Sequence, residues 1–184
     1  MANSSSDAPR SLGFCTVRVH PDHGYFGGYL ILNNHARPLE FHCTLPVKPS
    51  RAQEILYGKT LADFICGEQI AKALTAKAKL SPLLVLTDCS AVLALGHVSD
   101  LFVVCIPDAA VPLAGSPTIP ATSRPNLQSV RLGEQTAEIM PDQVDAVTRL
   151  HSIWDALAVT MDIREPFQRI AEALLEAHPI MKAA

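Results

Sequence analysis

Apolar and polar residues alternate from Cys15 onward, where Cys15, Val17 and Val19 interleave with Thr16, Arg18 and His20. A period of two predicts a strand with one face in the core. Pro21-Asp22-His23-Gly24 has turn chemistry: proline fixes φ, and glycine accepts positive φ. Tyr25 to Leu32 predicts a second strand, in which Gly27-Gly28 marks a bulge or a close backbone approach. After a loop over Asn33–Arg37, Leu39, Phe41, Cys43 and Leu45 alternate with Glu40, His42 and Thr44 and predict a third strand. Three such strands in succession predict an antiparallel meander. Its polar face, carrying Arg18, His20, Glu40 and His42, is expected to meet water.

The period lengthens after Pro46. Residues 49–57 predict a short helix stopped near Gly58, and Thr60 is placed to cap a longer helix from Leu61 to about Lys79. Leu61, Phe64 and Ile65 share one side of that helix, with Cys66, Ile70 and Leu74 roughly opposite, so both sides are expected to be packed. Glu68 and Lys72 are spaced to pair along it.

Ser81-Pro82-Leu83-Leu84-Val85-Leu86-Thr87-Asp88 is an unbroken apolar run that stops on a carboxylate. It predicts a strand buried on both faces, at the centre of a parallel or mixed sheet. A turn or short helix over Ser90–Leu95, a break at Gly96 and a strand over Leu101–Ile106 follow. Residues 107–126 hold Pro107, Pro112, Pro117, Pro120 and Pro125, and predict a linker or a long surface loop. Ser129–Leu132 predicts a short strand. Pro141 and Asp142 open a helix with Val144, Val147, Leu150, Trp154 and Leu157 on one face, and Arg164-Glu165-Pro166 opens another with Phe167, Ile170, Ala171 and Leu174.

The pattern as a whole predicts an α/β domain. A three-stranded antiparallel meander continues into a mixed sheet with helices packed on it, and further helices follow at the C-terminal end. The divisions expected are a disordered tail over 1–11, an α/β core over 12–106, the proline-rich connector over 107–126, and a mostly helical region over 127–184 packed on the core.

Composition narrows the classes. The 184 residues are 48% hydrophobic and 18% charged, which predicts a folded chain with a substantial core. A net charge of −3 argues against a broad electrostatic grip on nucleic acid. The five cysteines, Cys15, Cys43, Cys66, Cys89 and Cys105, form no C-x-x-C pair and each lies in an apolar or strand-like stretch. Reduced, buried thiols of a cytoplasmic protein are expected. The first residues are polar and Ser-rich, unlike a signal peptide, and no apolar run reaches the ~18 residues of a membrane span.

The order of elements over residues 12–106 resembles that of a ribonuclease H-like core. That resemblance implies acids from the first strand, the first long helix and the end of the fourth strand, holding Mg²⁺ or Mn²⁺. Asp88 matches the fourth-strand position, and Glu68 the helix position. Phe14 to Val19 contains no acid; Asp22 lies just beyond, in the turn, and His20 beside it only partly stands in. Likeness of element order speaks to fold more than to activity. Two smaller candidates accompany it: imidazoles at His20, His23 and His42 for a transition metal, and a Cys89 nucleophile activated by the turn that follows it.

Gly27-Gly28-Tyr29-Leu30-Ile31-Leu32-Asn33, Arg37-Pro38-Leu39-Glu40-Phe41 and Arg51-Ala52-Gln53-Glu54-Ile55-Leu56-Tyr57-Gly58 resemble a family of uncharacterised bacterial proteins. The resemblance implies no mechanism and no residue role. The function expected is a non-catalytic binding or regulatory module of the bacterial cytoplasm with no cofactor, meeting a protein partner or a second copy through its C-terminal helices. The alternative is a divalent-metal nuclease acting on phosphodiesters through Asp88, Glu68 and Asp22.

Overall fold

The computed structural model describes residues 11–112, 117–119, 126–157 and 161–179. The tail expected over residues 1–11 lies outside the described residues except for Ser11, as do residues 113–116 and 120–125 of the proline-rich stretch.

Ser11 opens β1 (Ser11–His20), which turns back into β2 (Gly24–Asn33) and then β3 (Pro38–Cys43). Both pairings are antiparallel, so the predicted meander forms, but in β3 the expected burial is reversed: Leu39 and Phe41 are exposed, while Glu40 and His42 are half-buried, bonded to each other. β4 (Leu84–Thr87) adds to β1 in parallel, and β5 (Val103–Cys105) to β4 in parallel. Beyond the proline-rich stretch, β6 (Gln128–Leu132) and β7 (Gln135–Ile139) form a hairpin, and β7 pairs antiparallel with β5. The result is one mixed sheet of seven strands in the order β3-β2-β1-β4-β5-β7-β6. The region beyond residue 127 therefore supplies strands as well as helices. β7 escaped the sequence reading because Gln135-Thr136-Ala137-Glu138-Ile139 has only two apolar positions. Gly133, at φ +59, makes its hairpin turn.

Helix α1 (Arg51–Tyr57) starts in a capping box: Ser50 Oγ accepts the Gln53 N–H at 3.2 Å, and Gln53 Oε1 accepts the Ser50 N–H at 2.9 Å. The long helix predicted over 61–79 is not uniform. It runs as α2 (Leu61–Asp63), a π-helical segment Phe64–Ala71, and α3 (Lys72–Lys77). Thr60 does not cap it; its hydroxyl donates backward to the Tyr57 carbonyl at 2.9 Å. A 3₁₀ turn, Ser90–His97, follows β4, and α4 (Val147–Leu157) and α5 (Arg164–Ala177) close the chain. Among the described residues, no helix is long and apolar enough to cross a membrane.

Helical elements cover both faces of the sheet. On one, Leu12, Phe14, Leu30, Leu84, Leu86 and Val104 pack against Leu150 and Trp154 of α4 and Phe167, Ile170 and Leu174 of α5. On the other, Cys15, Val17, Ile31, Val85 and Val103 meet the π segment and the 3₁₀ turn through Ile65, Cys66, Ile70, Val92 and Leu95. The apolar stripe of α5 is thus taken up by the sheet. Gly27-Gly28 explains how helices come so close to β2. A Cβ on Gly27 would collide with Ile70, and one on Gly28 with Ile170. Adjacent residues of a strand face opposite ways, so the pair makes one socket on each side.

This layering corrects one expectation. Arg18 and His20 were assigned to a solvated face, yet they are 8% and 7% exposed. β1 lies inside the sheet between β2 and β4, and its faces are covered by α5 on one side and by the π segment and the 3₁₀ turn on the other.

Candidate functional site

β1 and β4 run in parallel with Phe14 opposite Leu86 and Cys15 opposite Thr87. Their C-terminal ends therefore lie side by side, the place where open α/β sheets form crevices. Thr16 and Arg18 share one face of β1, and Leu86 and Asp88 continue that face next door. The side chains close on one another. Thr16 Oγ1 donates to Asp88 Oδ1 at 2.5 Å. Arg18 Nη2 donates to Asp88 Oδ2, and Nη1 donates to Thr16 Oγ1. The same Nη1 reaches Asp88 Oδ1 at 3.3 Å and the Val17 carbonyl at 3.0 Å. The Asp88 side chain has no exposure and that of Arg18 only 10%. Such a buried pair persists because each charge neutralises the other and the remaining lone pairs find donors.

The next residue is pinned as firmly. Thr87 Oγ1 accepts the Cys89 N–H at 3.1 Å and donates to the Cys89 carbonyl at 3.3 Å. That fixes the start of the 3₁₀ turn, where the Val92 N–H donates to the same carbonyl at 3.0 Å. The Cys89 sulfur accepts the Cys66 thiol hydrogen. That bond, helped by the Ala91 and Val92 N–H groups, draws the Cys89 pKa below its ordinary value against burial and the Asp88 charge. Cys66, as the donor and buried, moves well above. Cys15, in the same cluster, is also pushed up, chiefly by burial.

Beside these groups opens a hollow of about 370 Å³. Val17, Cys105, Val111 and Ile119 give it mostly apolar walls, Cys89 also lines it, and Arg18, Ser90 and Glu138 supply polar points.

The residues picked from the sequence do not gather here. Asp88 stands at the strand end as expected, but inside the ion pair. Glu68 is exposed on the π segment. Asp22 is exposed in the β1–β2 turn, where its N–H donates to His20 Nδ1 at 3.1 Å. Among the described residues, no three or more His, Cys, Asp or Glu side chains are grouped to hold a metal ion. His20 and His23 lie 4.7 Å apart ring to ring, while His42 bonds Glu40 at 2.8 Å. The residues missed by sequence reasoning are Thr16 and Arg18. The signal for them was indirect: a strand buried on both faces needs neighbours on both edges, and polar side chains on such a neighbour are themselves enclosed.

Comparison with protein-family models and with curated proteins finds no match for this chain.

Proposed function

We propose that the chain is a non-catalytic binding module of the bacterial cytoplasm, which takes a small, largely apolar ligand in the hollow at the strand ends. The Arg18–Asp88 pair carries this reading. A carboxylate that binds Mg²⁺ or Mn²⁺ must offer oxygen lone pairs to the ion. Both Asp88 oxygens are engaged by Arg18 and Thr16, on a side chain with no exposure. The guanidinium supplies the positive charge that a metal ion would otherwise bring. The hollow falls within the ~300–1,000 Å³ usual for small-molecule pockets, with apolar walls for affinity and a few polar groups for orientation.

A fragment set screened by thermal shift tests this, with Ala110→Phe, on the wall of the hollow, as the blocked control. A ligand at 100 times its Kd contributes about 2.7 kcal/mol and raises the melting temperature. The reading requires fragments that stabilise the native chain and lose that effect in the variant. Stabilisation that survives the substitution, or none from any fragment, defeats it.

A second reading has one observation behind it. The strand order β3-β2-β1-β4-β5, with β2 antiparallel to both neighbours, supports a ribonuclease H-like origin. Asp88, Glu68 and Asp22 would then be the acids of a nuclease that uses Mg²⁺ or Mn²⁺. The exposure of Glu68 and Asp22 and the enclosure of Asp88 weigh against it.

A further inference from the structure

The π-helical segment presses unusually close to the 3₁₀ turn Ser90–His97. At Gly67 a Cβ would lie 2.6 Å from the Ala94 Cβ and 3.0 Å from the Ala91 carbonyl, so only glycine fits. Cys66 immediately precedes Gly67 and Cys89 immediately precedes the turn, so the same seat brings the two cysteines into one cluster. π segments of this kind occur often at functional sites. Both cysteines are free and belong to one buried cluster. They differ in access: Cys66 is 0% exposed, whereas Cys89 is 9% exposed and borders the hollow.

We propose that Cys66 and Cys89 are a reversible modification site, a dithiol that a small hydroperoxide entering the hollow oxidises to a disulfide. Cys89, as thiolate, attacks the outer peroxide oxygen. The O–O bond breaks, the alkoxide or hydroxide leaves and takes up the proton that Cys89 shed on ionising, and the Cys89 sulfenic acid remains. Cys66 then attacks the sulfenic sulfur, the S–O bond breaks, and the Cys66 proton leaves with the hydroxide as water. Two thiols and one hydroperoxide thus give one disulfide, one alcohol or water, and one further water. Access sets the order of attack, since Cys89 borders the hollow and Cys66 does not, and the lowered Cys89 pKa agrees with it. A disulfide also needs its two Cα atoms within about 7 Å. The inference does not depend on what else the hollow binds.

The test treats the folded full chain with hydrogen peroxide, alkylates under denaturing conditions, and maps peptides by mass. The expected product has lost two hydrogens and leaves three of its five cysteines alkylatable, with the link between Cys66 and Cys89. Dithiothreitol should restore all five. Cys66→Ala should stop at a sulfenic acid on Cys89 trapped by dimedone, and Cys89→Ala should leave Cys66 a free thiol. Far-UV circular dichroism confirms that each variant is folded, and the native map decides even where one is not. Oxidation that falls first on Cys43, a link to any other cysteine, or two unreacted thiols at Cys66 and Cys89 overturns the proposal.

Discussion

Replacing Arg18 by methionine keeps an unbranched stem and removes the guanidinium whose charge balances Asp88. The Asp88 carboxylate would remain with no exposure, keeping only the Thr16 hydroxyl as a side-chain donor. Breaking a buried pair by removing one partner costs about 3–5 kcal/mol, because the remaining charge is uncompensated. An exposed pair such as Arg51–Glu54, by contrast, contributes about 0–1 kcal/mol. For a chain of this length each kcal/mol corresponds to about 2–4 °C, so Arg18→Met is expected to lower the melting temperature by about 6–20 °C. Urea titration gives the free energy directly, and an unchanged slope shows that the surface exposed on unfolding is unchanged. The double variant Arg18→Met/Asp88→Asn removes the stranded charge, and should recover much of the loss. A single variant within about 1 kcal/mol of the native chain would place the pair among surface ion pairs and refute the reasoning. So would a double variant whose loss is the plain sum of the two singles, since contacting partners must couple.

Gly28→Ala would drive a methyl group into Ile170 on α5, and an overpacking cost of about 1–3 kcal/mol is expected by urea denaturation; a neutral result would mean that α5 does not seat on β2 as described. Glu40 accepts the Lys79 and Leu80 N–H groups and bonds the His42 ring, and these bonds hold its pKa below the usual glutamate value of 4.5, the Lys79 bond most of all. A lowered folded pKa means the contribution is present above the unfolded value and is lost as pH falls through the folded one. Glu40→Gln should therefore flatten the fall in stability below about pH 4.5, and identical acid limbs in the two proteins would contradict this.

Much of this fold was legible in the chain because it is written in local patterns. The alternation of β1 to β3, the unbroken run Leu84–Leu86 and the i, i+3, i+4 stripe on α5 each decide an element without reference to the rest. What was not legible depends on neighbours. Arg18 alternates with valines as a solvent-facing residue would, and only its burial and its contact with Asp88 on the neighbouring strand show that it is enclosed. The π segment and the tight seat of Gly67 on Ala94 are announced by no helical period. Asp88 was read correctly as a residue at a strand end, but its role turned on Arg18, 70 positions away in sequence.

The most direct test of the central claim, that Arg18 takes the place of a cation at Asp88, is a Mn²⁺ titration of the native chain followed by melting temperature. A flat curve is predicted for the native chain, with any saturable rise appearing only in Arg18→Met, where the carboxylate has lost its guanidinium. A saturable rise in the native chain that Asp88→Asn abolishes would show that Asp88 binds metal there, and would contradict the account.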